Sequence, residues 1–215
     1  MIFGTGAFAE NAHFYFTHDS EHEVVAFTAH DRRIDKRVLL GLPVVPFEAL
    51  NESHPAGDFA MFVAVGYAGV NRVRADIYEQ AKGRGYELAT YVCSKATTWP
   101  GLEIGDNCFV FEDNTIQPYS CIGNDVVLWS GNHVGHHASI GDHCFITSHV
   151  VISGHVKVGR YCFLGVNSTL RDSIEIGEAC VIGAGALIMK STGDREVYAP
   201  RRTEPLDRTS DDIRM

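Results

Sequence analysis

From residue 140 to residue 158 the chain reads IGDHCFITSHVVISGHVKV, and an aliphatic residue returns at every sixth position: Ile140, Ile146, Ile152 and Val158. Followed outward, the frame holds without a slip. It starts at Ile104, runs through Val110, Ile116, Ile122, Leu128 and Val134, and continues through Leu164, Leu170, Ile176 and Ile182 to Ile188. For residue types that make up roughly a fifth of a chain, fifteen hits in one frame have a chance probability on the order of 10⁻¹⁰. Gly follows the aliphatic residue repeatedly, as in Ile104-Gly105, Ile122-Gly123, Val134-Gly135, Ile140-Gly141, Val158-Gly159 and Ile176-Gly177. Three hexads make one triangular coil, so residues eighteen apart stack at the strand spacing of about 4.8 Å. The pattern predicts a parallel β-helix over residues 102–192, with the aliphatic residue pointing inward and the Gly easing the chain around each corner.

Four residues after each aliphatic lies a second inward position, usually small: Cys108, Ser120, Val126, Ala138, Cys144, Val150, Val156, Cys162, Ser168, Cys180 and Ala186. Cys108, Cys144, Cys162 and Cys180 share one face by the eighteen-residue count and read as a stacked column of small hydrophobes, with no redox or metal role.

The residues ahead of the repeat change period. Met1 to Gly6 reads as a short strand and a Gly turn, clipped as though the numbering began inside a longer strand. Ala7 to Thr17 reads as a helix, Glu23 to Phe27 as a strand ending at His30-Asp31, and Ala60 to Gly66 as a third strand. Val70 to Arg84 has helical spacing, and Leu88 to Val92 reads as a last strand. Alternating strands and helices predict a small Rossmann-like α/β domain over residues 1–95, joined by a loop around Ser94 to Pro100. Ligands in such sheets bind at the carboxyl ends of the strands, here Gly4 to Phe8, His30-Asp31 and Gly66 to Asn71. The full GxGxxG is absent from Gly4-Thr5-Gly6-Ala7-Phe8-Ala9, which argues against a dinucleotide cofactor.

Composition narrows the function. A net charge of −9 argues against a nucleic-acid partner. No apolar run reaches the roughly 20 residues of a membrane span, and the start carries no signal-peptide pattern. Six cysteines without a CxxC pair are expected to be reduced thiols in a cytoplasmic protein. No Lys or Arg occurs between Lys95 and Lys157, whereas Lys157, Arg160, Arg171, Lys190, Arg195, Arg201, Arg202 and Arg208 follow, so an anionic ligand is better accommodated late in the chain. Residues 193–215, with Asp207, Asp211 and Asp212, read as a solvated tail.

Six of the eleven histidines fall within one short stretch: His133, His136, His137, His143, His149 and His155. His137, His143, His149 and His155 each sit three places after the inward aliphatic and are expected to point outward. Surface, interface, metal-ligand and general-base roles are all open to such imidazoles.

The chain resembles the hexapeptide sugar acyltransferases of the NeuD and PglD type. The resemblance is carried by the opening Gly turn, by Val65-Gly66 followed by Arg74, and by the stretch from Val134 to Gly165. It implies a left-handed β-helix behind a nucleotide-sugar-binding α/β domain, and a homotrimer with active sites at subunit interfaces. The implied reaction is direct acetyl transfer from acetyl-CoA to a nucleotide-linked amino sugar, in bacterial surface-glycan sugar synthesis. By family position His136 is the general base, and Gly154, eighteen residues on, offers its N–H to the thioester carbonyl. Phe145, Gly154, Val166 and Ala184 would line the CoA arm. Gly6, Ala7, Phe8, His30, Asp31, Gly66, Asn71 and Arg74 would hold the nucleotide sugar, and no metal is implied. Relatives often carry an acidic residue after the base where this chain has His137, so Asn132 or another subunit is left to orient His136. The rival readings are an O-acetyltransferase acting on a sialic-acid-type sugar and a non-catalytic nucleotide-sugar-binding trimeric scaffold. A γ-type carbonic anhydrase is a third, disfavoured because no two of the six clustered histidines are five residues apart.

Overall fold

The structure is a computed structural model and describes residues 1–201, 203–205 and 207. Arg202, Arg208, Asp211 and Asp212 lie outside the described residues. The N-terminal part contains β1 (Ile2–Phe3), α1 (Ala7–His18), β2 (Phe27–Ala29), β3 (Val38–Leu39), β4 (Leu42–Pro46), α2 (Leu50–Ser53), β5 (Phe62–Val63) and α3 (Arg72–Gly83). The strands form one sheet in the order β3-β4-β2-β1-β5, parallel except for the β3–β4 hairpin. That hairpin was not anticipated; Gly41, at φ 83°, supplies its turn. Gly4 is needed where β1 leaves the sheet. Its φ is 127°, and a Cβ there would stand 2.7 Å from the Ala64 carbonyl oxygen at the end of β5.

The repeat forms a left-handed parallel β-helix with three faces. The first contains Glu103–Ile104, Cys121–Ile122, Ser139–Ile140, Lys157–Val158 and Glu175–Ile176. The second contains Phe109–Val110, Val127–Leu128, Phe145–Ile146, Phe163–Leu164 and Val181–Ile182, and the third Thr115–Ile116, His133–Val134, Val151–Ile152, Thr169–Leu170 and Leu187–Ile188. Every pairing is eighteen residues apart, as in Val134 opposite Ile152. The frame aliphatics and the second inward positions fill one continuous core. The Cys108, Cys144, Cys162 and Cys180 thiols each donate to a glycine carbonyl 3.0–3.1 Å away.

Two expectations are corrected here. The glycine after each aliphatic does not make the corner. The left-handed residue is two places later, with φ between 52° and 65° at Asn107, Asp125, His137, His143, His155 and Asn167 among others. The glycine serves close stacking: a Cβ on Gly141 would sit 2.7 Å from the Arg160 nitrogen of the next coil. The solenoid also extends beyond 102–192. Leu88 bridges Met61 of the α/β sheet, but Tyr91–Val92, eighteen residues ahead of Phe109–Val110, pairs with that strand and opens the second face. At the far end Val197–Tyr198, expected in the tail, pairs with Val181–Ile182.

The α/β part docks on the second face through aromatic contacts. Phe8, Tyr15 and Phe16 of α1 pack on Phe109, Phe111, Trp129 and Phe145, with Phe111 and Trp129 stacked at 4.3 Å. Among the described residues, no helix is long and apolar enough to cross a membrane.

Candidate functional site

Residues at one corner of the prism recur every eighteen positions. The corner between the third and first faces therefore superposes Tyr119 on His137 and His155, and His136 on Gly154 and Asp172. The ring of His136 lies directly over Gly154: a Cβ built on Gly154 would stand 2.9 Å from His136 Nε2 and 3.1 Å from Asp172 Oδ2. Only glycine leaves that space open. The Gly154 N–H has no hydrogen-bond partner among the described residues. The backbone N–H of His136 donates to Gln117 Oε1 at 2.9 Å, which fixes where the ring begins.

His136 Nδ1 lies 3.1 Å from His137 Nδ1, so one of the two nitrogens carries the proton and the other accepts it. The His137 ring is stacked in turn on His155 (4.8 Å, 16°) and tilted against Tyr119 (4.7 Å, 35°). His137 therefore stands next to His136, in the place for which Asn132 or another subunit was expected. Asn132 is buried on a different corner, where it bonds Asn114 and the Val150 N–H. A cleft of about 500 Å³, lined by Trp99, Gln117, Pro118 and Tyr119, opens one coil before His136. Gln117, Asp172 and this cleft were not singled out from sequence, whereas His155 was expected outward on the coil next to His137, where it stands. The eighteen-residue count was the signal that could have found Asp172.

The remaining site residues divide into two groups. Gly6, Ala7, His30, Asp31 and Gly66 lie together at the carboxyl edge of the α/β sheet, after β1, β2 and β5. His30 Nδ1 is 2.8 Å from Glu48 Oε1, and the Asp31 N–H donates to Glu48 Oε2. Burial alone would raise the Glu48 carboxyl, but these hydrogen bonds bring it below its ordinary value. Phe8, Asn71 and Arg74 belong instead to the docking interface, which corrects their assignment to substrate. Arg74 is fully buried at the corner between the first and second faces. Its Nε donates to Asp125 Oδ1 at 3.0 Å, its Nη2 to the carbonyls of Asp125, His143 and Cys144, and its Nη1 to the Gly66 carbonyl and Asn71 Oδ1. Asn71 Nδ2 donates to the Tyr161 and Cys162 carbonyls. No donor is left on either for a ligand. His143, expected outward, is covered by α3: its ring meets Tyr78 at 5.4 Å and its Nδ1 is 2.9 Å from Asp125 Oδ2.

Of the residues assigned to the CoA arm, Gly154 shares the His136 corner and Phe145, Val166 and Ala184 do not. Val166 and Ala184 are exposed at the corner between the second and third faces, across the third face from Gly154. Phe145 is 3% exposed beneath Tyr67 and Phe8, so it presents no surface to a bound molecule in this chain. The late cations are partly neutralised one coil on: Lys157 pairs with Glu175 at 2.8 Å and Arg160 with Glu178 at 3.0 Å.

Residues 119–154 match the family described as bacterial transferase hexapeptide (six repeats), and residues 155–190 match hexapeptide repeat of succinyl-transferase. No curated protein matches the sequence significantly. Among solved structures, the chain is similar to PerB from Caulobacter crescentus, in complex with CoA and GDP-perosamine. That match has 26% identity and a TM-score of 0.82 over 91% of each chain. The acetyltransferase domain of PglB from Neisseria gonorrhoeae, in complex with acetyl coenzyme A, shares the fold at 24% identity and a TM-score of 0.80, covering 95% of this chain and 97% of that one. WeeI from Acinetobacter baumannii shares it at 19% identity and 0.69, covering 90% and 92%.

Proposed function

We infer that this chain is a hexapeptide-repeat sugar N-acetyltransferase, which transfers the acetyl group of acetyl-CoA to the amine of a nucleotide-linked amino sugar. The observation that carries the assignment of its residues is the seating of the His136 ring over Gly154 at an exposed corner. When His136 Nδ1–H donates to His137 Nδ1, the lone pair of His136 is on Nε2, the atom that overhangs Gly154. As the sugar amine attacks the thioester carbonyl, His136 Nε2 takes the amine proton and a C–N bond forms. The Gly154 N–H, without a partner among the described residues, supports the oxyanion. When the C–S bond breaks, the proton returns to the leaving thiolate and CoA departs as the thiol. His137 orients the base, and the Asp172 carboxylate beside Gly154 favours the imidazolium while it exists.

The active assembly is a homotrimer. The α/β part covers the second face, and His136 is on the corner opposite it, so the sheet edge with Gly6, Ala7, His30, Asp31 and Gly66 is remote from the base of its own chain. A neighbouring chain supplies the missing wall. The third face beside His136 leaves Val151, Leu187 and Met189 exposed, an apolar strip suited to such a neighbour. Val166 and Ala184 then line the groove for the CoA arm from the next corner.

The test follows thiol release from acetyl-CoA with GDP-, UDP- and dTDP-linked amino sugars, with His136→Ala alongside. Turnover with one of them, lowered about 10²-fold or more in the variant, is expected. Turnover unaffected by the substitution would remove His136 from the reaction. CoA binding without turnover on any amino sugar would move the acceptor to a hydroxyl.

A further inference from the structure

Three exposed imidazoles meet at the His136 corner. One ring nitrogen from each of His136, His137 and His155 lies within 4.8 Å of the other two. Two of these residues are adjacent in the chain and the third is one coil away. The left-handed backbone at His137 and His155, φ 58° at both, turns both side chains to the same side, where their rings stack. The His155 ring also stands edge-on to His136 at 5.0 Å. Three neutral imidazoles with an open fourth position are a zinc ligand set, and their nitrogens would be about 3.3 Å apart around a tetrahedral ion. The pair His136–His137 is already at 3.1 Å, and exposed rings need only a small rotation to bring in the third. The Asp172 carboxylate next to Gly154 adds negative charge to the same spot.

We propose that His136, His137 and His155 form a binding site for Zn²⁺, and that the ion is an inhibitor and not a cofactor. An ion held on His136 Nδ1 leaves the ring proton on Nε2, the atom that must accept the substrate proton, so occupancy and acetyl transfer exclude one another. The inhibitory half of this proposal rests on His136 being the base; the binding half does not.

The deciding experiment titrates Zn²⁺ alone into chelator-treated full-length protein, read by competition with a chromophoric chelator and without acetyl-CoA or sugar. His155→Asn is compared with the native chain. Asn holds the same left-handed position at 107 and 167, so the backbone of the coil is preserved. One ion per chain is expected, with affinity weakened about 10-fold or more in the variant. Absence of binding in the native chain, or binding unaltered by His155→Asn, would overturn the site. With the acceptor sugar in hand, Zn²⁺ should suppress thiol release and a chelator should restore it, with the inhibiting concentration raised about 10-fold in His155→Asn. Zinc bound at full occupancy with turnover unchanged would overturn the inhibition. Failure of every amino sugar to react would instead count against the acetyltransferase assignment, and the metal titration would still decide the site.

Discussion

Two corners of the same prism place histidines on the same left-handed backbone and put them to opposite uses. His143, between the first and second faces, is roofed by α3, pinned by Asp125, met edge-on by Tyr78 and stacked on Tyr161. His137 and His155, between the third and first faces, are covered by no helix among the described residues and stay exposed beside His136. The hexad frame dictates direction and backbone at both corners. What differs is the layer outside, and that layer alone separates a structural imidazole from a reactive one. A residue's place in a repeat therefore tells where it points and not what it meets there.

The sharpest way to break this contrast is at Arg74. Its guanidinium is the bolt between α3 and the roofed corner, with Asp125 as its buried counter-charge. Arg74→Met should destabilise the protein by about 3–5 kcal/mol, because it leaves the Asp125 carboxylate buried without its cation. Chemical denaturation checks the loss. At temperatures where the variant remains folded, the KM for the sugar should be unchanged, since no donor of Arg74 faces a ligand. A raised KM with native stability would return Arg74 to the substrate site.

The solenoid was legible because its signal is local and repeated: every sixth residue from Ile104 to Ile188 must be aliphatic to fill a narrow prism. The pairing of His136 with Gly154 was legible for the same reason, being one coil of arithmetic. Arg74 was misread because its partners on the solenoid are 51 to 70 residues away and three of the atoms it meets there are backbone carbonyls, which no side-chain pattern announces. The docked face was written in the sequence and overlooked. Phe109, Phe145 and Phe163 share one outward phase of the eighteen-residue count, and Phe111 and Trp129 another. The strand at Leu88 to Val92 was placed in the wrong sheet because a short β run carries no mark of its partner. Only the register of Tyr91 with Phe109 decides it.

Matched glycine substitutions sharpen the contrast between corners at a smaller scale. A Cβ at Gly141 presses on the Arg160 nitrogen at 2.7 Å, near the roofed corner, and one at Gly135 presses on the Gly154 nitrogen at 2.5 Å, in the open one. Gly141→Ala and Gly135→Ala should each cost about 1–3 kcal/mol as the next coil shifts away. Only Gly135→Ala should also lower kcat, because the amide it displaces is the one offered to the oxyanion. Thermal unfolding and steady-state kinetics on the two variants read both effects. Equal kcat values would mean that Gly154 shapes the coil and does not serve the reaction.

The gentlest test concerns how firmly the roof is held at its other end, where α1 meets the start of the solenoid. Asp19 Oδ2 accepts from the Ser94 N–H at 2.8 Å and the Tyr91 hydroxyl at 2.6 Å, and these bonds hold its carboxyl well below the ordinary carboxylate value. A carboxylate favoured in this way in the folded state stabilises the protein at any pH above its unfolded value of about 3.9, and that contribution fades as the pH falls further toward the folded value. Asp19→Asn should therefore cost about 1 kcal/mol at neutral pH, a modest figure because the site is partly solvated. The gap between native and variant should stay constant down to about pH 5 and close as acid protonates the native carboxylate. Denaturant midpoints measured at several pH values give that gap directly. A gap that instead widened in acid would mean that Asp19 opposes docking as a charge, and that the aromatic face beneath α1 holds the roof unaided.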